Sequence, residues 1–597
     1  MTASIDLSST PRIPVWEPHE LVFQMASPPA DPYRDAEVWV DLTGPGFSRR
    51  VYGFWNGGVE FVVRLCAPRP GTWSWRAGSS TGDRAIEGLK GTFIANGQSA
   101  EALAENPNRR GMIRATTDKR GLEYADGTPF FMIADTWWAV PSFRFPLPKD
   151  NTPRDLGPGA SIVDYIRFRK EQGFNAVGLI AAQPCWNEDG KPHNLFDADG
   201  DCVRHTWPTP EGFAKSMHDD NGERPFLFPG KVPGFEDVVP DYDRVNPEYF
   251  KTLDKKMDIL FEMGIVPFIE VARRDTGPMW KKHHDFPESY ARFIHYVFCR
   301  YQAHNAIFSP IHYDLYENTI PSREYNAPCN LVIDRWGKPP FGTILSANSR
   351  PSSLVNFGGA DECRWIDMHQ SGNSREHYTY WYLTEIYHHE PTLPALNGEP
   401  YYSGLEGLSL PYPYGKPGNT PEDDMYVRSG MYGSLLSGGY AGYFYGCEGI
   451  WQASVEPGTK VMMWEGFRFS SAETVRHLKT FAMVKGTAYR ELLPEAEHII
   501  PNRTANPMGY EGWSYCAGAK DRSWFLLYFE ANCATETYMR GLTKQFDRYR
   551  ATWFDPRSGE WLPDPIELIV EKSALIQLPE SPDPALDWGM MLELVPS

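Results

Sequence analysis

The sequence predicts a multidomain protein in which a central (β/α)8 TIM barrel lies between an N-terminal and a C-terminal β-sandwich. Short strand-like runs separated by Gly and Pro occupy both ends of the chain, and strand and helix patterns alternate between them. The length of 597 residues suffices for roughly three or four domains. We therefore expect domains at residues 1–105, 106–490 and 491–597.

The N-terminal segment shows strand periodicity. Val38, Val40 and Leu42 alternate with other residues over 37–42, and a second strand is predicted over 59–65. A Pro-Gly turn at Pro70 follows, as is typical of antiparallel sandwiches. The polar stretch 99–110 predicts a linker to the next domain.

The central segment predicts strand and helix units in alternation. The helix predicted over 161–172 begins with the capping-box pair Ser161 and Asp164, and further helices are predicted over 246–263, 289–303, 373–389 and 425–437. Eight strands are predicted, over 129–134, 176–181, 266–271, 306–312, 343–345, 365–368, 393–396 and 441–445. Eight such units fit a closed barrel better than an open doubly wound sheet, and no dinucleotide or P-loop motif follows any strand.

Two connections, 183–245 and 315–342, are too long for simple loops. Both follow strand C-termini, so we expect them to wall a pocket on that face. The C-terminal segment predicts a long helix over 472–495 and strands over 523–530 and 587–595.

Charge and cysteine content limit the function classes. The formal net charge of −19 repels phosphate backbones and anionic lipid, which argues against nucleic-acid and membrane partners. The nine cysteines form no C-x-x-C pair, and the N-terminus shows no signal-peptide pattern. We expect a cytoplasmic protein without metal or cofactor, and the sequence leaves open whether it forms a homo-oligomer.

Carboxylate, amide, imidazole and aromatic side chains cluster at the predicted strand ends, where barrel enzymes place their active sites. Glycoside hydrolysis needs two carboxylates that flank the bond, with aromatic faces for the sugar. Glu399 follows a strand and precedes a Tyr pair, so we predict it as a catalytic residue, with Asp314 as its partner. The predicted substrate-binding residues are Asp135, Trp137, Trp186, Glu270, His312, His369, Asn397, Tyr401 and Tyr445.

Several motifs resemble those of the apiosidase-like glycoside hydrolases. They are D-G-T-P-F-F at 126–131 with A-D-T-W at 134–137, N-G-E-P-Y-Y at 397–402, and the Gly- and Tyr-rich run 439–451. The run W-F-D-P at 553–556 resembles the collagen-binding-type sandwich that often follows that barrel, and the N-terminal strands resemble the sandwich that often precedes it.

This resemblance implies a (β/α)8 barrel with Glu399 as nucleophile and a strand-four Asp as acid/base. The chain departs from the family at strand four, where Tyr313 and Leu315 flank Asp314 in place of Gly and Arg. Apiose specificity is therefore not carried over.

We expect an exo-acting, metal-independent glycoside hydrolase that releases a terminal, furanosidic or uncommon sugar from a plant or microbial oligosaccharide with retention. Two alternatives stay open, an inverting glycosidase and a non-catalytic carbohydrate-binding protein on a hydrolase scaffold. A polysaccharide lyase using Tyr313, His312 and Arg273 is a third reading, and the least favoured.

Overall fold

The computed structural model describes residues 3–4, 11–186, 190–373, 380–406, 415–504, 510–542, 546–571 and 574–595. Among these residues, no helix is long and apolar enough to cross a membrane. All nine cysteines are free thiols, and eight of them are buried.

The N-terminal region consists of two sheets whose apolar faces share one hydrophobic cluster. Leu21 and Phe23 of one sheet and Val40, Trp73 and Phe93 of the other belong to that cluster. The first sheet has the strand order Ala3–Ser4, His19–Gln24, Glu60–Leu65, Phe54–Gly57. The second has the order Arg12–Pro14, Lys90–Asn96, Gly71–Ser79, Val38–Gly44, Phe47–Tyr52. A short helix, Pro32–Asp35, precedes the strand Val38–Gly44.

The predicted linker 99–110 is ordered. It forms the helix Ala100–Glu105, capped by Ser99, and the 3-10 turn Pro107–Arg110. Buried Asn108 donates hydrogen bonds from Nδ2 to the carbonyls of Phe261 and Ile265, 3.0 and 3.2 Å away. The end of this stretch is therefore attached to the central region by hydrogen bonds, while most of residues 99–105 are exposed to solvent. Three short strands, Arg114–Ala115, Leu122–Glu123 and Pro129–Phe130, follow it.

Seven parallel strands form the half-barrel sheet of the central region. Their spatial order is Ile307–Ser309, Val266–Ala272, Ala176–Ala182, Met132–Thr136, Gly442–Tyr445, Ala395–Asn397, His369–Ser371. All their carboxyl ends point to one edge, which brings residues far apart in sequence together there. We call this edge the carboxyl edge.

Three strand predictions differ from the structure. The predicted strand 306–312 is split at Pro310, which has no N–H to donate, and resumes at His312–Tyr313. The predicted strand 343–345 is irregular, with Leu345 bridging Phe308, and a short strand Asn348–Ser349 pairs with His312–Tyr313. The predicted strand 365–368 lies just before the actual strand His369–Ser371.

Helices connect these strands. Ile162–Glu171 begins with the predicted capping box, in which the Asp164 carboxylate accepts from the Ser161 backbone N–H. The other helices are Pro247–Glu262, Gly277–His283, Phe286–Tyr301, Asn326–Arg335, Ser353–Phe357, Tyr380–His388, Pro421–Leu436, Met463–Gly466 and Ser471–Ala482. The predicted helix 472–495 breaks after Ala482 into the 3-10 segment Met483–Glu491, because Lys485 and Gly486 leave helical backbone angles.

Both long connections contain ordered elements. The first carries two antiparallel strand pairs, Asn194–Phe196 with Cys202–His205 and Phe226–Leu227 with Asp241–Val245. The second carries the helix Asn326–Arg335.

The C-terminal region is β-rich, as predicted. Its larger sheet contains Leu492–Pro494, Ser514–Ala519, Trp524–Phe529, Trp588–Leu594, Arg548–Asp555, Glu560–Trp561 and Ile566–Ile569. A smaller sheet contains Ile499–Ile500, Tyr538–Met539 and Ile576–Gln577. Apolar residues of both sheets, among them Ile499, Phe525 and Met539, form one cluster.

Candidate active site

Two predicted catalytic carboxylates meet at the carboxyl edge of the parallel sheet. Glu399 follows the strand Ala395–Asn397, and Asp314 follows the short strand His312–Tyr313. One ligand atom each from His312, Asp314 and Glu399 lie within 4.8 Å of one another, and all three side chains are buried. The topology therefore brings together side chains that are 85 residues apart in the chain (399 − 314).

Glu399 is held on one oxygen and left unpaired on the other. The Tyr402 hydroxyl donates to Oε1 at 2.7 Å, and the Glu399 backbone N–H donates to Asn397 Oδ1 at 3.3 Å. Oε2 is buried and accepts no hydrogen bond from any described residue. A buried carboxylate oxygen with spare acceptor capacity is costly unless a ligand or water satisfies it. This is the oxygen that a nucleophile must present.

Close packing fixes the turn before Glu399. A Cβ on Gly398 would lie 2.0 Å from Gln370 Oε1, so a side chain at this position would displace the Gln370 amide. Gln370 in turn donates to Ser346 Oγ at 2.9 Å. The space at Gly398 is thus occupied by a side chain of the neighbouring strand.

Asp314 lies between positive charges. Arg274 Nε donates to Oδ1 at 2.7 Å, Arg273 Nη2 to Oδ2 at 3.3 Å, and His312 Nε2 lies 3.5 Å from Oδ2. Burial would raise the pKa of Asp314, but Arg274, Arg273 and His312 outweigh it and hold the pKa well below the ordinary range. Asp314 is therefore ionised at neutral pH.

The protons of the site reside on a neighbouring pair. His312 Nδ1 is in direct contact with a Glu270 carboxylate oxygen, and both residues are buried. Burial raises the pKa of Glu270 to about 7, against the opposing effect of His312. Burial would lower the pKa of His312, but the Glu270 and Asp314 carboxylates raise it to about 10. A protonated imidazole therefore faces Asp314 at neutral pH.

This charge distribution differs from the expected one. A general acid requires a raised pKa, and the sequence predicts the acid/base role for Asp314, the partner of Glu399. The raised pKa is found at Glu270, one strand away, because two arginines neutralise Asp314 and no arginine contacts Glu270 among the described residues.

Asp135 and Trp137 lie in the core. Asp135 accepts hydrogen bonds from Arg169 Nε, Trp137 Nε1 and the Thr136 N–H, at 2.6, 2.8 and 2.8 Å. Trp137 has 0% exposure and packs between Phe145 and Phe467, so neither of its faces is available to a sugar. The next residue, Trp138, contacts the ring of His312 edge-on at a centroid distance of 4.8 Å.

The other predicted binding residues are buried and differ in their partners. Asn397 Nδ2 donates to Ser434 Oγ, and Tyr401 OH donates to Asp423 Oδ1. Tyr445 OH forms a hydrogen bond with Ser471 Oγ.

His369 and Trp186 complete this set. His369 Nδ1 forms a hydrogen bond with Ser353 Oγ, and burial lowers the pKa of His369 to about 3. Trp186 packs edge-on against Phe226, and its Nε1 donates to no described residue. Among these, Trp186 retains an unused polar atom.

Sequence reasoning missed Arg274 and Asn348 and did not assign Arg273 to the hydrolase site. Arg273 and Arg274 directly follow the strand Val266–Ala272, so the strand-end rule contained the signal for them. Asn348 follows the irregular segment at the predicted strand 343–345. Its Nδ2 lies 3.5 Å from His312 Nδ1, and its Oδ1 has no hydrogen-bond partner among the described residues. Its strand has only two residues, which is too short for a periodic pattern.

Among the described residues, three clusters have the spacing of metal ligands: His312 with Asp314 and Glu399, Asp241 with Asp243 and His284, and Asp197 with Asp199 and Asp201. In the first, a cation would meet the guanidinium groups of Arg273 and Arg274. In the last, Lys282 Nζ already lies 2.6–2.8 Å from all three carboxylates. In the second cluster, Lys231 Nζ forms an ion pair with Asp241 at 2.9 Å. Each of the three clusters thus has a positively charged side chain beside it.

Solved structures similar to this chain share its fold at low sequence identity. A protein described as a candidate glycoside hydrolase from Bacteroides vulgatus ATCC 8482 aligns with a TM-score of 0.64 and 16% identity, over 98% of this chain and 100% of that chain. A glycoside hydrolase family 5 protein from the same organism has a TM-score of 0.56 and 15% identity, over 82% and 94%. A third structure, described as a glycoside hydrolase, has a TM-score of 0.53 and 13% identity, over 82% and 98%.

Family comparison covers most of the chain. No curated protein matches it. A domain of unknown function, DUF5060, matches residues 12–80. The family described as Apiosidase-like, catalytic domain, matches residues 116–487, which include every residue of the site described above. The chain therefore belongs to the Apiosidase-like family.

Proposed function

We propose that this protein is a glycoside hydrolase that removes a terminal sugar from an oligosaccharide with retention of configuration. The observation that carries the proposal is the approach of Glu399 and Asp314 at the carboxyl edge, with Glu399 Oε2 unpaired. The membership of the Apiosidase-like family supports the same chemistry.

The separation of the carboxylates supports retention. An Asp314 oxygen and a Glu399 oxygen lie within 4.8 Å. Retaining enzymes hold their carboxyl groups about 5–5.5 Å apart, whereas inverting enzymes need about 6.5–9.5 Å to admit a water. In this geometry Glu399 attacks the anomeric carbon and forms a glycosyl-enzyme, which water then hydrolyses.

We propose Asp314 as the group beside the glycosidic oxygen and the Glu270–His312 pair as its source of protons. Asp314 is ionised while Arg273 and Arg274 contact it, so it requires a proton from outside. His312 Nε2 lies 3.5 Å from Asp314 Oδ2 and carries a proton at neutral pH. Displacement of the arginines by substrate makes this transfer less unfavourable, because the pKa of Asp314 then rises towards its ordinary value, and the transfer is completed as the proton moves on to the glycosidic oxygen of the leaving group.

Enclosure of the site supports exo action. Glu270, His312, Asp314 and Glu399 each expose at most 6% of their surface. An endo-acting enzyme requires an open groove for a chain that passes through, whereas a recessed site accommodates one terminal unit. We propose a furanosidic or uncommon sugar as that unit, and catalysis without a metal ion.

We also propose that the half-barrel sheet closes into a (β/α)8 barrel between two sandwiches. The Leu345 carbonyl accepts from the N–H groups of Asp367 and Met368 at 2.8 and 3.1 Å, and Leu345 bridges Phe308 on its other side. The irregular segment 343–345 therefore lies between the two outer strands of the sheet, Ile307–Ser309 and His369–Ser371. One apolar cluster contains residues from all eight positions, including Ile307, Ile344 and Met368, as a closed interior requires.

A panel of aryl furanosides and pyranosides tests the proposal. We expect release of the aglycone from at least one substrate, and a product with the anomeric configuration of the substrate by NMR within minutes of mixing. A product of opposite configuration would establish the inverting alternative. The ion pairing of Asp314 favours a second candidate, a carbohydrate-binding protein without activity, and that protein would release no aglycone from any substrate.

A further inference from the structure

A large cleft among the described residues lies away from Glu399. It has a volume of about 830 Å³, within the range of small-molecule sites. Residues of the N-terminal sheets form one wall, and the segment 109–114 with the loop 340–342 forms the other. These segments precede strands, whereas Glu399 follows one, so the cleft opens at the opposite edge of the central sheet.

The cleft is basic in an acidic protein. Its lining contains five arginines and one carboxylate, that of Asp126, although the whole chain has a net charge of −19. The lining arginines are Arg49, Arg69, Arg109, Arg110 and Arg114. Arginine presents a planar fork of donors that matches a carboxylate bidentately. The charge of the lining is therefore complementary to an anionic ligand.

Two of these arginines have no carboxylate partner. Arg109, Arg110 and Arg114 form ion pairs of 2.9 Å with Glu17, Asp126 and Glu123, respectively. Arg49 and Arg69 are exposed, and across the described parts of the chain neither forms an ion pair. Their charges are therefore available to a ligand.

The backbone positions Arg69 over a tight turn. A Cβ on Gly46 would lie 2.6 Å from Arg69 Nη1, and Gly46 has φ +67°. The guanidinium therefore packs on a turn that favours glycine for both space and backbone angle.

Aromatic rings complete the lining. Phe47 stacks on Phe341 at a centroid distance of 5.6 Å and an interplanar angle of 9°, which joins the two walls. Trp16, half-buried, lies in the same lining. A lining that contains both cationic and aromatic side chains suits a ligand with carboxylates on a ring scaffold.

We infer that this cleft binds an acidic oligosaccharide built from uronate units, with Arg49 and Arg69 as the carboxylate-binding residues. The inference rests on the proposed function only for the choice of a sugar as the carrier of the carboxylates. Binding here would hold an oligosaccharide substrate to the enzyme without participating in bond cleavage.

Isothermal titration of the full-length chain with a galacturonate oligosaccharide tests the inference, and the fully methyl-esterified oligosaccharide serves as the uncharged ligand. We expect the acid form to bind, with affinity that falls as salt rises, and the ester to bind at least about tenfold more weakly. Arg49→Gln/Arg69→Gln should reduce affinity for the acid form about tenfold or more and leave aryl-glycoside hydrolysis unchanged.

The variant Arg540→Gln/Arg550→Gln is the matched control, because it removes the same charge from two exposed residues of the C-terminal region. It should retain wild-type affinity. Absence of binding, equal binding of the ester, equal binding of a sulfated polymer, or equal losses in both double variants would overturn the inference. These outcomes are independent of the proposed function, since they do not require turnover and the cleft excludes Glu399.

Discussion

Asp135 and Glu399 are both carboxylates at the ends of parallel strands, and they differ in how fully they are hydrogen-bonded. Asp135 accepts three hydrogen bonds, one of them from the buried guanidinium of Arg169. Glu399 accepts one from Tyr402, and its second oxygen has no partner among the described residues. Both are almost completely buried, so burial does not distinguish them.

The two carboxylates differ in whether an oxygen atom remains without a hydrogen bond. A buried carboxylate with both oxygens hydrogen-bonded to the protein stabilises the fold and has little acceptor capacity left for a ligand. A buried carboxylate with a free oxygen costs stability, and a protein retains such a cost where it serves binding or chemistry. The number of hydrogen bonds that each carboxylate accepts therefore distinguishes a structural role from a catalytic one, whereas residue type and strand position do not.

Glu399→Gln should have the largest effect on activity, a loss of at least about 10³-fold in kcat, because an amide cannot act as the nucleophile. The fold should persist, since the amide oxygen still accepts from Tyr402. Hydrolysis of an aryl glycoside and circular dichroism measure the two properties. Glu448→Gln is the control, because both oxygens of Glu448 already accept, from Trp451 and Gln452 at 3.3 Å. Comparable losses in both variants would contradict the comparison.

Asp135→Asn should affect stability instead. The change leaves Arg169 buried without its counter-charge, which costs about 3 kcal/mol in the free energy of unfolding. Urea denaturation measures this loss, and the folded fraction should keep its kcat. Asp41→Asn, which breaks the exposed pair with Arg50 at 2.9 Å, should cost less than about 1 kcal/mol. A stable, inactive Asp135→Asn protein would place Asp135 in the active site after all.

Asp314→Asn should lower kcat/KM about 10²-fold for substrates with poor leaving groups and much less for activated aryl glycosides, which need little protonation. A series of aryl leaving groups measures this dependence. Equal losses across the series would assign Asp314 to positioning of Arg273 and Arg274 rather than to proton transfer.

The Glu270–His312 pair should make stability fall as pH rises. Folding raises the pKa of Glu270 from 4.5 to about 7 and that of His312 from 6.5 to about 10. The His312 contribution is thus complete below pH 6.5 and is lost as pH rises through about 10, and the Glu270 contribution is lost as pH rises from 4.5 through about 7.

In Glu270→Gln/His312→Gln this pH dependence should be smaller by at least about 2 kcal/mol between pH 5 and 10. Urea denaturation across that range compares it with the wild type. Parallel stability curves for the two proteins would show that the pair does not hold these protons.

Tyr402→Phe should have the smallest effect, about a tenfold loss of kcat/KM, because it removes the hydrogen bond that the Glu399 carboxylate accepts from Tyr402. Tyr401→Phe is its neighbour and control, since that hydroxyl donates to Asp423. Steady-state kinetics of both variants should show the larger loss at Tyr402, and the reverse order would mean that Asp423 matters more than the hydrogen bond to Glu399.

Several features of the fold were predictable because they depend on local patterns. The capping box at Ser161 and the apolar face of Pro247–Glu262 are set by neighbouring residues in the chain, and the structure contains both. The split at Pro310 and the break at Gly486 were also visible as single residues, but their consequences depend on which hydrogen bonds the surrounding structure offers.

The sequence predicts that the site lies at the carboxyl ends of the strands, but it does not predict which role each residue has there. Trp137 and Trp138 are adjacent and chemically identical, yet side-chain alternation and packing put Trp137 between Phe145 and Phe467 and Trp138 against His312. Sequence periodicity over two residues does not determine which one faces the site.

By itself, the sequence determined the order of the three regions, the polarity of the strand ends and the family, because hydrophobic periodicity and short motifs are local. Only the tertiary structure decided the charge state of the site. Arg273 and Arg274 turn towards Asp314 rather than Glu270, and that choice depends on the pairing of Arg273 with His312 across neighbouring strands. A pKa responds to every charge within several ångströms, and those distances exist only once the chain is folded.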